Sequence, residues 1–323
     1  MVKAMSVLRK NRLIAWAENI TLLLIISFAF YTTIPIQTTR TLLVPQGSIT
    51  HIISQLTQKG YALSFIDKYI LVFMGQPQSG WVDLGESNLN RIDFLYKLTT
   101  AKAKMEEITL IPGETTVLFL SSVAKDLNLN EEKLNNYYKT LSVYPEAGIY
   151  ADTYYVPYGI NEKHLIHFLL SSSEKKYKEI SEKIYGTYSK KKWLNTLIIA
   201  SIIQKEAANS KEMPLVSSVI YNRLKKGMPL QMDGTLNYGK YSHIKVTPER
   251  IENDTSRFNT YKHKGLPLSP IGAVSFDAIK AAIKPAKTDY LYFMKNAQGK
   301  HDFSSTFKAH RANIRKARSS FKK

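Results

Sequence analysis

A carboxylic acid ends a strongly apolar stretch of the sequence. Apolar residues fill positions 197–200, 202 and 203, and Lys205 and Glu206 follow. The spacing i, i+4, i+7 leads from Ile199 through Ile203 to Glu206, so the carboxyl group continues a helix face that is predicted to be buried. A buried carboxyl group is costly to ionise, and its pKa rises unless a partner satisfies it. Two interpretations stay open on this pattern: a paired structural carboxylate or a proton donor.

Amide, hydroxyl and carboxyl side chains are concentrated in the second half of the chain, around two apolar helices. The candidate ligand-binding residues are Asn222, Gln231, Asp233, Thr235, Tyr238, Asn259, Thr260 and Tyr261. Neutral hydrogen-bonding groups mixed with aromatic rings suit sugars, which present hydroxyl groups and apolar faces. A carboxylic acid that stays protonated near neutral pH is what glycosidic cleavage needs. Glycoside hydrolases typically use a second carboxylate, and Asp233 is the candidate, although spacing does not show that it faces Glu206.

Other kinds of chemistry lack support in the sequence. It contains no cysteine, which excludes disulfides, thiol catalysis and zinc sites built on cysteine. No Gly-rich phosphate loop, H-E-x-x-H or G-x-S-x-G motif occurs. His164 and His167 have i, i+3 spacing but no nearby carboxylate cluster, which favours a helix-surface or core role over metal binding. We therefore expect neither a metal nor a cofactor.

The composition is that of a folded and strongly basic protein. The 323 residues include 44% hydrophobic residues and carry a net charge of +19, enough length for about two domains. Such a charge suits nucleic acid, an anionic membrane surface or an acidic polymer such as a cell wall. Lysine-rich solvated surfaces would explain the charge equally well.

An apolar segment near the N-terminus predicts a membrane anchor. No charged residue lies between Glu18 and Arg40, and about 21 residues at roughly 1.5 Å each just span a hydrocarbon core of about 30 Å. Basic residues precede the segment, so the positive-inside rule predicts a cytoplasmic N-terminus and an external remainder. A cleaved signal peptide is the alternative, but no A-x-A-like site follows. The external position argues against nucleic acid as a partner.

The pattern of elements predicts an α+β protein. Leu42 and Thr109 each begin an apolar, strand-like segment that leads through Pro-Gly chemistry to a helix, with Ser48 and Thr115 as candidate caps. We expect a helix from about Trp193, a second from Pro214, and a strand in DYLYFMKN. The predicted divisions are a cytoplasmic tail and anchor (1–39), a small α+β module (40–105) and a larger mixed α+β domain (106–323). The last contains a helical connecting region (about 125–190), a core (about 191–310) and a basic tail.

The region around Glu206 resembles the MltG (YceG-like) family of endolytic murein lytic transglycosylases. That family has a helix ending in A-S-I-x-x-K-E, matched by Ala200, Ser201, Ile202, Lys205 and Glu206. The family pattern N-R-L-x-x-G-M-x-L-Q-x-D-x-T-x-x-Y-G follows, and it is matched from Asn222 to Gly239. Later pieces are similar to SRFNTYKHKGLPLSPIG, to DYLYF, and to the H-x-F-x-x-x-x-x-x-H segment at His301, Phe303 and His310. The resemblance runs through the whole chain and includes a LysM-like module with a V-P-x-G start and a Glu146…Asp-Thr-Tyr loop.

The resemblance implies a function. Such proteins cleave the β-1,4 bond between N-acetylmuramic acid and N-acetylglucosamine inside nascent glycan strands and leave 1,6-anhydromuramoyl ends. Glu206 would be the catalytic acid, and the eight ligand-binding candidates would bind or orient the sugar. The resemblance further implies an anchor in the cytoplasmic membrane, an active site outside it, and cell-wall synthases (penicillin-binding proteins) as partners. A non-catalytic peptidoglycan-binding or scaffolding protein remains the alternative.

Five positions depart from the family pattern. Ala151 and Gly234 stand where the family commonly has Pro, Gln204 replaces a common Glu, and Leu268-Ser269 replaces Pro-Gly. None of these changes removes Glu206 or the Gln-x-Asp-x-Thr loop. The change at Leu268-Ser269 lies in the loop at 265–271, whose shape is expected to differ from that of the family.

Overall fold

The structure, a computed structural model, describes residues 2–320, with side chains described from position 12 to position 319. The side chains of Lys3, Arg9 and Lys10, which support the predicted membrane orientation, lie outside the described residues. So do the last three residues of the predicted basic tail.

Helices alternate with four pairs of short strands. The helices are α1 Val2–Thr33, α2 Ile49–Gln58, α3 Phe65–Met74, α4 Arg91–Thr100, α5 Thr116–Asp126, α6 Glu131–Leu141, α7 Glu162–Tyr185, α8 Lys190–Glu206, α9 Met213–Lys225, α10 Pro248–Asn253, α11 Phe276–Ile283 and α12 Phe307–Ser320. The strands are β1 Pro35–Gln37, β2 Thr41–Val44, β3 Gly80–Asp83, β4 Asn88–Asn90, β5 Met105–Thr109, β6 Thr153–Pro157, β7 Tyr292–Lys295 and β8 His301–Ser304. Strand pairing is β1 with β4, β2 with β3, β5 with β6, and β7 with β8. The expectation of an α+β protein is confirmed.

The long first helix contains the predicted apolar segment. Its stretch Arg12–Thr33 has 22 residues with a mean hydropathy of 1.9, and none of the segment is buried in the described structure. A helix of this length and composition can cross a bilayer. The structure is therefore compatible with an N-terminal membrane anchor.

The chain forms two compact units. The first contains the residues up to Glu106 together with Pro157–Gly159. Its two antiparallel strand pairs and helices α2 to α4 enclose a core that includes Leu42, Ile52, Leu71, Val82 and Phe94. The predicted cap of α2 is confirmed, because the Ser48 hydroxyl accepts a hydrogen bond of 3.3 Å from the His51 main-chain N–H. The LysM-like identity of this module stays a prediction.

A buried ion pair fixes two helices of the first unit. The Arg91 guanidinium donates to Asp67 across 2.6 Å, and their side chains are 6% and 0% exposed. Arg91 also donates to the Ala62 carbonyl, while Asp67 accepts from the Ser64 main-chain N–H at the start of α3. Each buried charge therefore has a partner and further hydrogen bonds, which burial of an ion pair requires.

The second unit, residues 107–156 and 160–323, is organised around α8. Every residue of α8 from Leu197 to Ile203 is buried, and α9 and α11 pack against the helix. The prediction that this helix is buried on several faces is thus confirmed. The predicted start near Trp193 was wrong by about one turn, since α8 begins at Lys190 and its lysine-rich first turn remains exposed.

Two local expectations in the second unit need correction. Thr115 occupies the N-cap position of α5, but its hydroxyl donates to the Gly239 carbonyl at 2.9 Å and makes no cap hydrogen bond. The segment around Tyr154, expected to be a loop, contains strand β6. Tyr154 and Val156 are buried while their neighbours are more exposed, which is the period-2 pattern of a strand.

An antiparallel hairpin follows α11 and confirms the strand expected in DYLYFMKN. Tyr292 pairs with Ser304, Phe293 with Phe303, Met294 with Asp302, and Lys295 with His301. Helix α12, the described part of the basic tail, packs on both strands of this hairpin. The hairpin therefore holds a fixed position beside α9, which contacts β7.

Candidate active site

Glu206 is the last residue of α8 and accepts a hydrogen bond from the loop that follows α9. The main-chain N–H of Gly234 donates to Glu206 Oε1 at 2.7 Å. A Cβ atom at position 234 would lie 2.8 Å from that oxygen and 2.9 Å from Lys205 Cβ. The absence of a side chain at Gly234 thus allows the close approach of the 3₁₀ turn Asp233–Leu236 to the carboxyl group.

The surroundings of Glu206 raise its pKa to about 7. Burial is the largest cause, because it disfavours the charged form. The N–H of Gly234 acts in the opposite direction, Asp233 raises the pKa through its negative charge, and Arg223 lowers it. The pKa of Glu206 is therefore raised toward neutral pH, where the group can both donate and accept a proton.

Glu206 opens into a polar cavity of about 240 Å³. The cavity is enclosed by the end of α8, the loop after α9, and the β7–β8 hairpin. Its lining residues are Glu206, Arg223, Leu230, Gln231, Asp233, Tyr261, Phe293, Met294, Lys295 and His301. Four of the nine residues predicted for the site, Glu206, Gln231, Asp233 and Tyr261, are thus brought together.

Hydrogen bonds with buried threonines hold the loop that carries Gln231 and Asp233. Gln231 has a φ of 49°, and its main-chain N–H donates to the Thr260 carbonyl at 3.1 Å. The Thr260 hydroxyl accepts from the Met232 N–H and lies 3.0 Å from the Thr235 hydroxyl. Thr235 and Thr260 are fully buried, so their hydroxyl groups hold the loop and leave the side chains of Gln231 and Asp233 exposed.

Asp233 is paired with Tyr261 on the wall of the cavity. The Tyr261 hydroxyl donates to Asp233 Oδ1 at 2.6 Å. Burial raises the pKa of Tyr261, and the neighbouring Asp233 raises it further. Tyr261 therefore remains a hydrogen-bond donor over the physiological pH range, and it holds the Asp233 carboxylate beside Glu206.

Three other predicted residues make contacts within the protein. The Asn259 amide donates to the carbonyls of Ile251 and Asp254 at 2.8 and 2.7 Å. The Asn222 amide donates at 2.9 Å to two carbonyls in the segment that leads into β7. Tyr238 stacks on Phe258 with ring centres 4.3 Å apart. These contacts shape the loops around the cavity, and a direct sugar contact for these residues, as for Thr235 and Thr260, stays a prediction.

The structure adds a buried arginine that sequence reasoning did not select. Arg223 donates to the carbonyls of Leu291 and Leu230 at 2.6 Å each and to that of Pro229 at 3.2 Å. It thereby connects α9 to the cavity loop and to the entry of β7. Its place beside Asn222 in the N-R-L motif was the available signal.

The β7–β8 hairpin also contributes residues that the site prediction lacked. Phe293, Met294, Lys295 and His301 line the cavity. His301 belongs to the H-x-F segment, which was noted in the sequence without a role. Nothing in the local sequence indicates that this distant segment reaches Glu206, since their proximity arises from the packing of β7 on α9.

Lys205 lies next to Glu206 in the chain but its side chain takes another direction. Its ammonium group donates to the Ser242 hydroxyl at 2.8 Å. Burial lowers the pKa of Lys205, while Glu114 and Glu146 act in the opposite direction. Lys205 does not line the cavity, and its ammonium group interacts with Ser242, Glu114 and Glu146 of the second unit instead.

The fold and site define a class of protein: an α+β protein in which one buried helix presents a carboxyl group with a raised pKa to a polar cavity. Residues 42–316 match the YceG-like family. The chain belongs to this family, since the match covers most of its length.

Relatives with assigned names share parts of the chain. An endolytic murein transglycosylase of Bacillus subtilis (strain 168) is 43% identical over 115 residues, which are 35% of this chain and 32% of that protein. The endolytic murein transglycosylase of Streptococcus pneumoniae serotype 2 (strain D39) is 31% identical over 176 residues, or 52% of this chain and 31% of that protein. The matched segments thus span about a third of each relative's length.

A solved structure shares the fold. The crystal structure of a putative YceG-like protein from Listeria monocytogenes superposes with a TM-score of 0.53 at 25% sequence identity. The likeness covers 84% of this chain and 98% of the other. The architecture described above is therefore that of the family.

Proposed function

We propose that the protein is a membrane-anchored endolytic lytic transglycosylase, which cleaves the β-1,4 bond between N-acetylmuramic acid and N-acetylglucosamine within peptidoglycan strands. The observation that carries the proposal is the Glu206 carboxyl group, with a pKa of about 7, at the wall of a polar cavity. The names of the relatives support the choice of substrate and product.

In this mechanism Glu206 acts twice. The protonated carboxyl group donates its proton to the glycosidic oxygen as the bond to C1 of the muramoyl residue breaks. The resulting carboxylate then accepts the proton of the C6 hydroxyl group while that oxygen bonds to C1 and closes the 1,6-anhydro ring. No water molecule is consumed, so the reaction needs no second carboxylate as base or nucleophile. General acid–base assistance of this kind contributes typically about 10²- to 10⁴-fold in rate.

The remaining cavity residues support this chemistry. Gln231 is exposed on a loop fixed by Thr260, which suits hydrogen bonding to a sugar hydroxyl or acetamido group. Asp233 lies near enough to raise the pKa of Glu206, and its charge would stabilise a developing oxocarbenium-like centre. Tyr261 keeps Asp233 in place through its hydroxyl group.

The test is the replacement Glu206→Gln, which retains size and hydrogen bonding but removes the acid. Digestion of purified sacculi by the variant should release anhydro-ended fragments at least about 10²-fold more slowly than digestion by the unaltered protein, as measured by mass spectrometry. Glu252→Gln, an equivalent change at an exposed position of α10, should leave the rate unchanged. Undiminished anhydro products from Glu206→Gln would refute the assignment. Normal sacculus binding by an unaltered protein that releases no product would instead favour a non-catalytic binding or scaffolding role.

The proposal includes the orientation of the anchor, with the N-terminus in the cytoplasm and both units outside. The basic residues before the apolar segment support it through the positive-inside rule. Because the chain contains no cysteine, a single cysteine introduced as Lys300→Cys reports on its own position. A membrane-impermeant maleimide should label it in intact protoplasts, whereas labelling only after lysis would reverse the orientation.

We further propose that the enzyme terminates glycan elongation beside cell-wall synthases of the penicillin-binding type. The apolar segment ends at Thr33 and strand β1 begins at Pro35, and this short connection supports action close to the bilayer. Crosslinking of the chain in growing cells should recover a synthase. Crosslinking of known synthase complexes in the same cells is the control. If that control succeeds and this protein is recovered without a synthase, the result would contradict a direct partnership.

A further inference from the structure

One face of the β7–β8 hairpin is turned toward the cavity. Because Lys295 pairs with His301 and Phe293 with Phe303, the side chains of all four project from the same face of the hairpin. Phe293, Lys295 and His301 from this face line the cavity that contains Glu206. An aromatic ring, an ammonium group and an imidazole are therefore presented together beside the catalytic acid.

The imidazole of His301 is oriented by a buried carboxylate. His301 Nδ1 lies 2.7 Å from Glu212 Oε2, and the His301 main-chain N–H donates to Glu212 Oε1 at 3.1 Å. The two side chains are only 10% and 11% exposed. Burial opposes ionisation of Glu212, but the hydrogen bonds from His301 outweigh it and lower the pKa of Glu212. The carboxylate thus accepts from Nδ1–H, which leaves Nε2 as the ring nitrogen available to a ligand; Nε2 accepts a hydrogen bond in the neutral ring and donates one in the imidazolium form.

Lys295 is the exposed cation of this face. Its ammonium group has no hydrogen-bond or ion-pair partner within the part of the chain that the structure describes. The acids Glu206 and Asp233 lie at the end of α8 and on the loop after α9, whereas the hairpin supplies Lys295 and His301. The hairpin therefore adds the Lys295 ammonium group and, in the imidazolium form, the His301 Nε2–H to a cavity that contains two carboxyl groups, and an oxygen acceptor on the substrate would complement these two donors.

We infer that Lys295 and the imidazolium form of His301 bind the terminal oxygen of the lactyl ether on the muramoyl residue, and that Glu212 is the positioning residue that orients His301. This inference rests on the proposed function. The lactyl group is what distinguishes N-acetylmuramic acid from N-acetylglucosamine, so the hairpin selects which sugar occupies the site that is cut. Phe293, on the same face, offers its ring to the apolar side of the sugar.

Two forms of the substrate present this oxygen. In a glycan without peptides it belongs to a free carboxylate, and in a peptide-bearing glycan it belongs to the carbonyl of an amide. Donors on Lys295 and His301 serve either form, but a carboxylate gains more from the ammonium charge. The experiment therefore uses both forms, together with a glycan that lacks the lactyl group.

The experiment measures glycan binding to the full chain in detergent, carrying Glu206→Gln so that bound glycan stays intact. The probes are chitotetraose, an alternating muramoyl tetrasaccharide with free lactyl carboxylates, and the same tetrasaccharide with an alanine amide on each lactyl group. Both muramoyl probes should bind about tenfold or more tighter than chitotetraose. Lys295→Ala and His301→Gln should each remove most of this preference while chitotetraose affinity changes less than about twofold. Glu212→Gln should act like His301→Gln, and Lys300→Ala, on the same hairpin but outside the cavity lining, should change nothing.

The outcomes separate this inference from the proposed function. A preference that persists in both Lys295→Ala and His301→Gln overturns the inference, as does an equal loss of affinity for all three probes. If the His301→Gln variant shows no melting transition and is therefore unfolded, the result for Lys295→Ala decides the question, because Lys295 is exposed. A preference for the carboxylate probe alone supports the inference with the free acid as ligand. Cleavage of glycan by the Glu206→Gln variant would refute the proposed function. The inference about Lys295 and His301 would still be tested separately by the measured affinities for the three probes.

Discussion

The main-chain N–H of Gly234 donates a 2.7 Å hydrogen bond to Oε1 of Glu206. The bond stabilises the ionised carboxylate and so acts against burial, which raises the pKa of the same group. A proline at this position could not form the bond, because proline has no N–H. The residue at position 234 therefore tunes the proton affinity of the proposed catalytic acid.

We predict that Gly234→Pro moves the alkaline limb of the pH–activity profile to higher pH. A general acid works while protonated, so activity falls as pH rises through the Glu206 pKa of about 7. Loss of the N–H donor raises that pKa, so the alkaline limb of the profile moves to higher pH. Gly234→Ala retains the N–H but adds a Cβ that would lie 2.8 Å from Glu206 Oε1, so it reports the steric effect of the added carbon by itself. An alkaline limb that stays at the pH of the unaltered protein in Gly234→Pro would contradict a role for the hydrogen bond.

We predict the opposite shift for Asp233→Asn. The negative charge of Asp233 raises the pKa of Glu206, so neutralising it lowers that pKa and moves the alkaline limb to lower pH. The Asn oxygen can still accept from Tyr261, and Tyr261→Phe, which retains the charge, should not cause the downward shift. Rates of anhydro-product formation across pH measure the effect. If the rate on the acidic plateau decreases more than about tenfold and the alkaline limb does not move, the result would instead show that Asp233 takes a direct part in the chemistry.

Loss of Arg223 should destabilise the second unit. Arg223→Met retains much of the side-chain volume but leaves three carbonyls without their donor, at a cost of about 2–4 kcal/mol in the free energy of unfolding. Chemical denaturation monitored by circular dichroism provides the measurement. Lys225→Met, at the exposed end of α9, should change stability by less than about 0.5 kcal/mol. Equal stability of the two variants would show that the carbonyls find other donors.

The buried pair of the first unit should matter more than its exposed counterpart. Arg91→Met leaves the Asp67 carboxylate buried without its cation and should cost about 3–5 kcal/mol. Arg40→Met removes a pair of 3.8 Å in which Arg40 is 76% exposed, so it should have little effect. Hydrogen exchange resolved by peptide should show the loss in helices α3 and α4. An equal loss of protection against hydrogen exchange throughout the second unit would contradict the expectation that the two units differ in their response to this substitution.

Much of the fold could be predicted because it follows from local patterns. The apolar run of α8, the Ser48 cap and the strand at Tyr292 were all recognisable from spacing and residue type. The strand around Tyr154 was not, since the five tyrosines and two glycines in residues 144–160 also suit a loop. The Thr115 hydroxyl was assigned to a cap because the sequence does not reveal Gly239, a partner 124 positions away.

By itself the sequence predicted a buried carboxyl group at Glu206 and a physical reason for its raised pKa, because helical periodicity continues a buried face onto this residue. Helical spacing is a local property of the chain, so it can be read without knowing what packs nearby. Only the tertiary structure decided which polar residues surround that acid. It brought Gln231, Asp233 and Tyr261 to the cavity, and it turned Asn222 and Asn259 toward carbonyl groups of the protein. Contacts such as these depend on distant segments packing together, and residue types and spacing along the chain do not specify them.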